Sequence, residues 1–283
     1  MKNVISIDVE QWFHTFTARR HVKNVDVYSV DCAGVSKSAR RILDLFDEFD
    51  KTTTFFIVGE VAERLPELVK EIAEKGHEVA FHGYSHLMLH ELGRNKFGDE
   101  IEKGANVLRQ MSRQKIRGFR APNFSLNNET AWALEVLDRK GFKYDSSLFP
   151  TITHQYGLYT ALCRPYFPSL NDLAQEDSSQ NIMEFPMLIR RVGIFKIPAA
   201  GGFYLRLFGP KFILDSIRAA NKRGYPAMCY IHSWEVHGFP KVNLPIQRRF
   251  YAYHRVPCLD HLEKLVEKVN IAPTIEVLET IGI

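Results

Sequence analysis

Two histidines four residues apart, His82 and His86 in His82-Gly83-Tyr84-Ser85-His86, directly follow the apolar run Val79-Ala80-Phe81. In a helical turn, residues i and i+4 share a face, so both imidazoles can converge on one ion, and imidazole suits zinc and its first-row neighbours. With 11 histidines in the chain, the pair alone is equally compatible with two hydrogen-bonded or surface side chains. Its weight comes from the company it keeps. Asp8 closes a predicted first strand, His82 a third, Arg120 a fourth, Asp145 a fifth and His232 the last. In a parallel barrel the loops at the C-terminal strand ends share one mouth, where acid-base and metal-binding groups gather.

The elements that must position these groups follow from periodicity. Val4-Ile5-Ser6-Ile7 reads as a strand, and Ser38 to Phe49 as a helix with Ile42, Leu45, Phe46 and Phe49 on one stripe. Thr52 to Val58 is rich in β-branched and aromatic residues and predicts a second strand. A helix follows, with Pro66 near its start, Leu65, Leu68, Val69 and Ile72 on one side and Gly76 as its stop. His77 to Phe81 is the strand that delivers the histidine pair. Beyond it, Lys96 to Met111 predicts a helix, Ile116 to Phe119 a strand, Glu129 to Lys140 a helix, and Phe142 to Tyr144 a strand. Residues 150–180 read as loops; strands near Ile182 to Phe185 and Gly193 to Ile197, a helix from Pro210 to Arg223 and a strand from Ala227 to Ile231 resume the pattern. After His232 the chain turns irregular until a helix from Asp260 to Val269. Strands alternating with helices predict an α/β fold, parallel strands with outer crossover helices.

At 283 residues, with 45% hydrophobic and 25% charged side chains, the chain has the composition of a folded protein, which excludes disordered and fibrous classes. No repeat, linker or low-complexity tract divides it, so a single domain over 1–283 is expected, with 233–283 an extension packed on the barrel. A net charge of +4 without a basic run gives no case for a nucleic-acid partner, yet is compatible with peripheral contact to an anionic membrane surface. No apolar run is long enough for a transmembrane helix. Cys32, Cys163, Cys229 and Cys258 lack CxxC spacing and read as reduced thiols. The N-terminus lacks a secretory h-region, so a cytoplasmic location is the expectation.

Five short motifs in order resemble those of the polysaccharide deacetylases of carbohydrate esterase family 4, whose shared unit is the NodB-type homology domain. They are Ser6-Ile7-Asp8-Val9-Glu10, His82-Gly83-Tyr84-Ser85-His86, Arg120-Ala121-Pro122-Asn123-Phe124, Tyr144-Asp145-Ser146-Ser147 and Tyr230-Ile231-His232. The phrases Gly201-Gly202-Phe203-Tyr204-Leu205-Arg206 and His232-Ser233-Trp234-Glu235 also look like the subgroup found with bacterial exopolysaccharide loci. The resemblance implies a distorted (β/α) barrel of the polysaccharide deacetylase type and a metal-dependent N-deacetylase, zinc being the expected divalent metal. Its substrate would be an N-acetylated glycan of a bacterial polysaccharide or a lipid-linked precursor.

The resemblance further implies roles. His82 and His86 are metal ligands, Asp8 the base that takes a proton from water, and His232 the acid that protonates the leaving amine. Asp145 is the expected partner of His232, and Arg120 is expected to orient Asp8 and hold it ionised. The sequence departs from the family where Val9 replaces the second of two adjacent aspartates. In an extended strand Asp8 and Glu10 point to the same side, so Glu10 is the expected third ligand. The tryptophan that often follows the fourth motif is missing; Leu148 or Trp234 would supply that wall. Tyr204, Arg206 and Trp234 are the expected substrate contacts, while His14 and His77 are expected to be structural and His90 solvated or set against a ligand rather than on the ion. Two other readings stay open: a hydrolase of a small amide or cyclic imide on the same fold, and a non-catalytic glycan-binding protein.

Overall fold

The computed structural model describes residues 1–14, 32–153, 156–236 and 257–282. Strand β1, Val4–Val9, is buried along its whole length, as a strand covered on both faces must be. It lies between β2, Thr54–Ile57, and β9, Met228–His232, parallel to both. Outward from β2 follow β3 (Glu78–Phe81), β4 (Gly118–Phe119), β5 (Tyr144–Asp145) and β6 (Met183–Glu184), giving one seven-stranded parallel sheet in the order β6-β5-β4-β3-β2-β1-β9. The two ends approach where the Leu188 N–H donates to the Met228 carbonyl at 2.9 Å. The result is a distorted (β/α) barrel with outer helices. Strands β7 (Ile189–Val192) and β8 (Phe195–Pro198) form a separate antiparallel hairpin.

Helix α1, Ala33–Glu48, covers the sheet with Val35, Ala39, Ile42, Leu43 and Phe46 on its buried stripe. The helices that follow are α2 (Gly59–Arg64), α3 (Pro66–Glu74), α4 (Leu89–Ser112), α5 (Trp132–Arg139), α6 (Gly202–Asn221), α7 (Leu259–Lys268) and α8 (Thr274–Glu279). No described helix is long and apolar enough to cross a membrane.

Register sets the site. Asp8 pairs with Phe56 on one side and His232 on the other, so the ends of β1 and β9 place a carboxylate beside an imidazole. The opposite end of the barrel is closed by a polar layer. Glu78 accepts from Thr54 Oγ1 at 2.7 Å, Tyr144 Oη at 3.0 Å and the Ile275 N–H at 3.1 Å, while the Thr274 N–H donates to Thr54 Oγ1 at 2.7 Å. Burial pushes the Glu78 carboxyl up, only partly offset by these donors.

Three elements differ from expectation. The segment Gly193 to Ile197 holds the hairpin turn as well as a strand, because Gly193 takes φ +58° between Val192 and Phe195, which pair across it. The helix expected from Pro210 is present, and an additional helical stretch from Gly202 precedes it across the non-helical Gly209 at φ +76°, the two together making α6. The histidine pair sits on no helical turn. His82 follows β3, Gly83 turns at φ +75°, and His86 itself is left-handed at φ +55°.

Candidate active site

Arg120, which follows β4, is fully buried and organises the mouth. Its Nη1 donates to Asp8 Oδ1 at 2.5 Å and Ser6 Oγ at 2.9 Å, its Nε to the Ser146 carbonyl at 3.0 Å, and its Nη2 to Ser146 Oγ at 3.2 Å. The Phe56 ring lies 3.9 Å from the guanidinium carbon. A buried guanidinium is tolerable only when its fork is this fully engaged. It fixes the Asp8 carboxylate in one orientation.

The loop after β3 carries the two histidines. Gly83 has no room for a side chain, since a Cβ there would stand 2.9 Å from Pro122 Cγ. The Glu60 N–H donates to the Tyr84 carbonyl at 3.0 Å, and Ser85 Oγ donates to Glu100, which pins the turn from both sides. His82 Nδ1 is 2.9 Å from the Arg120 carbonyl, so it carries the proton and leaves the Nε2 lone pair facing inward. Burial lowers the His82 pKa to about 4 against the opposing charges of Asp8 and Glu10, so its ring is neutral at neutral pH, as a metal ligand requires. His82 Nε2 lies 3.9 Å from both Asp8 Oδ2 and Glu10 Oε2, and His86 Nε2 lies 2.6 Å from Glu10 Oε2.

Donor atoms of Glu10, His14 and His86 lie within 4.8 Å of one another. His14 thus belongs to this cluster, where sequence reasoning sees only a structural residue. Its ring stacks on His86 with centroids 4.9 Å apart and planes 10° apart, and its Nδ1 accepts from the Gln11 N–H at 3.3 Å. A lone pair lies in the plane of its ring, so two stacked rings cannot both aim at one ion unless one of them turns. Buried carboxylate and imidazole donors of this kind suit a divalent ion: Glu10, His14 and His86 are the three that converge within 4.8 Å, and His82 Nε2 faces the same Glu10 carboxylate from 3.9 Å.

Across the mouth, His232 Nε2 is 3.6 Å from Glu10 Oε1, and its Nδ1 is 3.1 Å from Glu235 Oε2. The same Glu235 oxygen accepts the His232 backbone N–H at 2.9 Å, and the other oxygen meets Arg206 Nη2 at 2.5 Å. Burial alone would lower the His232 pKa; the charge of Glu10 and the hydrogen bond and charge of Glu235 outweigh it and push the imidazole up to about 9. Trp234 stacks on His232 at 4.9 Å, and its Nε1 donates to Glu10 Oε1 at 3.2 Å, so it is a wall of the site.

Two expectations need correction. The described carboxylate partner of His232 is Glu235, brought back by the short 3-10 turn Ser233–Val236, and not Asp145. Asp145 instead accepts from Ser147 N at 3.0 Å and Ser147 Oγ at 2.6 Å, and Ser147 Oγ accepts the Ala121 N–H at 2.7 Å. It thereby braces the strand ends that cradle Arg120. Burial and the adjacent Asp145 charge push the Glu184 carboxyl well up. Arg206, expected to touch substrate, is buried and engaged with Glu235. Tyr204 is half-buried at the start of α6, in a hydroxyl chain with Tyr156 and Tyr230. Glu235 was detectable in the sequence only as an acid three residues after His232; a second signal is Gly202, where a Cβ would stand 2.3 Å from the Glu235 carboxylate.

The profile of the polysaccharide deacetylase family matches residues 26–144, taking in His82, His86 and Arg120. Residues 26–144 thus carry a polysaccharide deacetylase domain. A second profile, for a domain of unknown function (DUF3473), matches residues 146–279, which hold Arg206, His232 and Glu235. Asp8 and Glu10 precede both matches, so geometry alone brings them to the family's residues. Among relatives, the peptidoglycan deacetylase-like protein FGM2 of Gibberella zeae is 26% identical over 228 residues, 80% of this chain and 64% of that protein. The peptidoglycan-N-acetylglucosamine deacetylase of Bacillus cereus is 33% identical over 96 residues, 34% of this chain and 35% of that protein. The match thus spans just under two thirds of the first relative and about a third of the second. A solved structure of a proposed polysaccharide deacetylase from Mycobacterium smegmatis superposes with a TM-score of 0.60 at 19% identity, covering 99% of this chain and 89% of that one. Puue allantoinase gives 0.59 at 14%, covering 98% and 89%. At such identities the likeness is one of fold.

Proposed function

We propose that this chain is a metal-dependent N-deacetylase that removes acetyl groups from acetamido sugars of a bacterial polysaccharide or of its lipid-linked precursor. The observation that carries the reading is the opposition of two acid-base groups across one donor set: Asp8 fixed by Arg120 on one side, His232 fixed by Glu235 on the other, with Glu10 between them. The deacetylase names of the relatives support it over hydrolysis of a small imide or passive glycan binding.

Glu10, His82 and His86 would hold the divalent ion, zinc in our reading. When bound, it supplies a Lewis acid that polarises the acetyl carbonyl and acidifies a water. The Asp8 carboxylate takes one proton from that water as oxygen attacks the carbonyl carbon, and Arg120 keeps the carboxylate aimed throughout. The imidazolium of His232 gives its Nε2 proton to the sugar nitrogen as the carbon–nitrogen bond breaks. Acetic acid and the free amine leave, to become acetate and ammonium in solution, and transfer of the proton held by Asp8 to His232 restores the starting state. Glu235 holds the Nδ1–H side of the ring, so the tautomer that returns is the productive one. Trp234 shields one face of His232 from water.

The test is acetate release from N-acetylated chito-oligosaccharides and from polymeric acetamido glycans, before and after chelation and after zinc is restored. Release that stops on chelation and returns with zinc supports the reading. No release from any acetylated glycan, with turnover of small imides instead, refutes it.

A further inference from the structure

From Phe185 to Leu214 the chain contains no acidic residue, while Arg190, Arg191, Lys196, Arg206 and Lys211 all fall within that stretch. The same stretch forms the β7–β8 hairpin and the first half of α6. It also holds most of the protein's misplaced apolar surface. Of the nine large apolar side chains that are exposed among the described residues, five lie here: Val192, Ile194, Phe195, Leu207 and Phe208. Ile194 at the hairpin tip is 81% exposed and Phe195 67%. Two more of the nine, Ile152 and Tyr159, line one shallow concavity with Val192 and Phe195. Single exposed apolar residues need no explanation, but a concentration of this kind marks an interaction surface.

The tip is braced. The Ile194 carbonyl accepts Tyr159 Oη at 2.5 Å, Lys196 Nζ reaches the Tyr159 carbonyl and the Ala161 carbonyl at 3.1 Å, and Thr151 Oγ1 donates to the Lys196 carbonyl at 3.1 Å. At its base, Arg190 Nη1 donates to the Asp215 carbonyl at 2.8 Å and ties the hairpin to α6. A braced ribbon therefore presents aliphatic and aromatic side chains at its apex, with the exposed Arg191 on its flank, while Lys196, Arg190 and Arg206 are turned onto the Ala161 carbonyl, the Asp215 carbonyl and Glu235.

We propose that this hairpin docks the protein on an anionic lipid bilayer, with Ile194 and Phe195 entering the interface and Arg191 at the level of the headgroups. Apolar insertion beside a cation is the combination that gives reversible interfacial binding, and the hairpin itself brings no carboxylate to an anionic surface, the Asp215 at its base being paired with Lys211 and Arg218. The inference stands on this surface alone and does not depend on the deacetylase reading. If both hold, α6 connects them, since its first turn carries Gly202 and Arg206 against Glu235 while its next residues, Leu207 and Phe208, face solvent.

The experiment is co-sedimentation of the full chain with large unilamellar vesicles, either phosphatidylcholine alone or an equimolar mixture with phosphatidylglycerol. The native protein is expected to pellet with the mixed vesicles far more than with phosphatidylcholine, and to be released as salt rises. Arg191→Ala should weaken binding to mixed vesicles about fivefold. The double variant Ile194→Asp, Phe195→Asp should weaken it tenfold or more, roughly the loss of two inserted apolar side chains. All should melt with the native protein, because the altered side chains are exposed; if the double variant melts early, Arg191→Ala carries the test alone. Native protein that stays in solution with mixed vesicles overturns the proposal, as does a well-folded double variant that pellets undiminished. A monomer–dimer equilibrium abolished by the double variant, without vesicle binding, would overturn it in favour of an interface between copies.

Discussion

Replacing Glu235 by Gln isolates the group that the structure places behind His232. The imidazole stands at about 9 because Glu10, Glu235 and Asp8 together overcome its burial, and Glu235 acts twice, as a hydrogen-bond acceptor and as a charge. A carboxylate at this distance raises an imidazole by about 1–3 pH units. Loss of its charge, with the amide oxygen still able to accept the Nδ1–H, should therefore lower His232 by about 1–2 units. The sign follows from its role as acid. Activity needs His232 protonated, so the basic limb of the kcat/KM profile moves to lower pH in Glu235→Gln than in the native enzyme. Well above both values the variant is about tenfold to a hundredfold slower, whereas near pH 6 it approaches the native rate. Glu235→Asp keeps the charge and should recover most of the shift. The assay is acetate release from an N-acetylated oligosaccharide between pH 5 and 10, about the range in which the imidazole titrates in the two proteins. A basic limb that stays in place in Glu235→Gln, with only an overall drop in rate, would refute the assignment and leave Glu235 a merely structural contact.

Arg120→Leu should lose both stability and rate, since it strips the buried Asp8 carboxylate of its partner; a cost of about 3–5 kcal/mol in urea unfolding is expected. Asp8→Asn should keep the ion bound yet slow acetate release by about 10²–10⁴-fold, measured on zinc-reconstituted protein of verified metal content. Gly83→Ala forces a methyl group against Pro122 at a backbone conformation with φ +75°, so it should displace His82 and His86 and lower zinc affinity by isothermal titration calorimetry. Glu78→Gln tests the closed end of the barrel. Because Glu78 is raised in the folded chain, its share of stability is greatest at low pH and is lost as pH rises from the unfolded value of about 4.5 through the folded one. The variant should therefore melt closest to the native protein at acid pH and gain on it toward neutrality.

What was legible in the sequence was the sheet and its polar ends. Alternating strands and helices, with Asp8, His82, Arg120, Asp145 and His232 at strand termini, fix which groups share the mouth, because parallel neighbours in register bring their ends to one level. Contacts made by irregular backbone were not legible. The His82–His86 spacing fits a helical turn, yet a left-handed His86 bends the loop, and no periodicity encodes that. Glu235 follows His232 where the pattern turns irregular, and only the 3-10 turn reveals that i+3 comes back onto the ring. Asp145 carries the right chemistry for a partner of His232, but its own Ser147 and the neighbouring Glu184 claim it. Arg206 reads as a substrate contact, but the helical stretch ahead of Gly209 turns it inward onto Glu235. Helix α8 is too short for its periodicity to stand out, and its importance lies in Thr274 meeting Thr54 across the barrel floor.

In the proposed function Glu10, and not Asp8, completes the metal site, leaving Asp8 free as the base. A crystal structure of the zinc-loaded protein measures it directly. The expected result is a Glu10 oxygen about 2.0–2.2 Å from the ion with His82 and His86 nitrogens at about 2.0–2.1 Å, and Asp8 still on Arg120, outside bonding distance. Asp8 bound to the ion with Glu10 turned away, or His14 taking the place of His82, would contradict it.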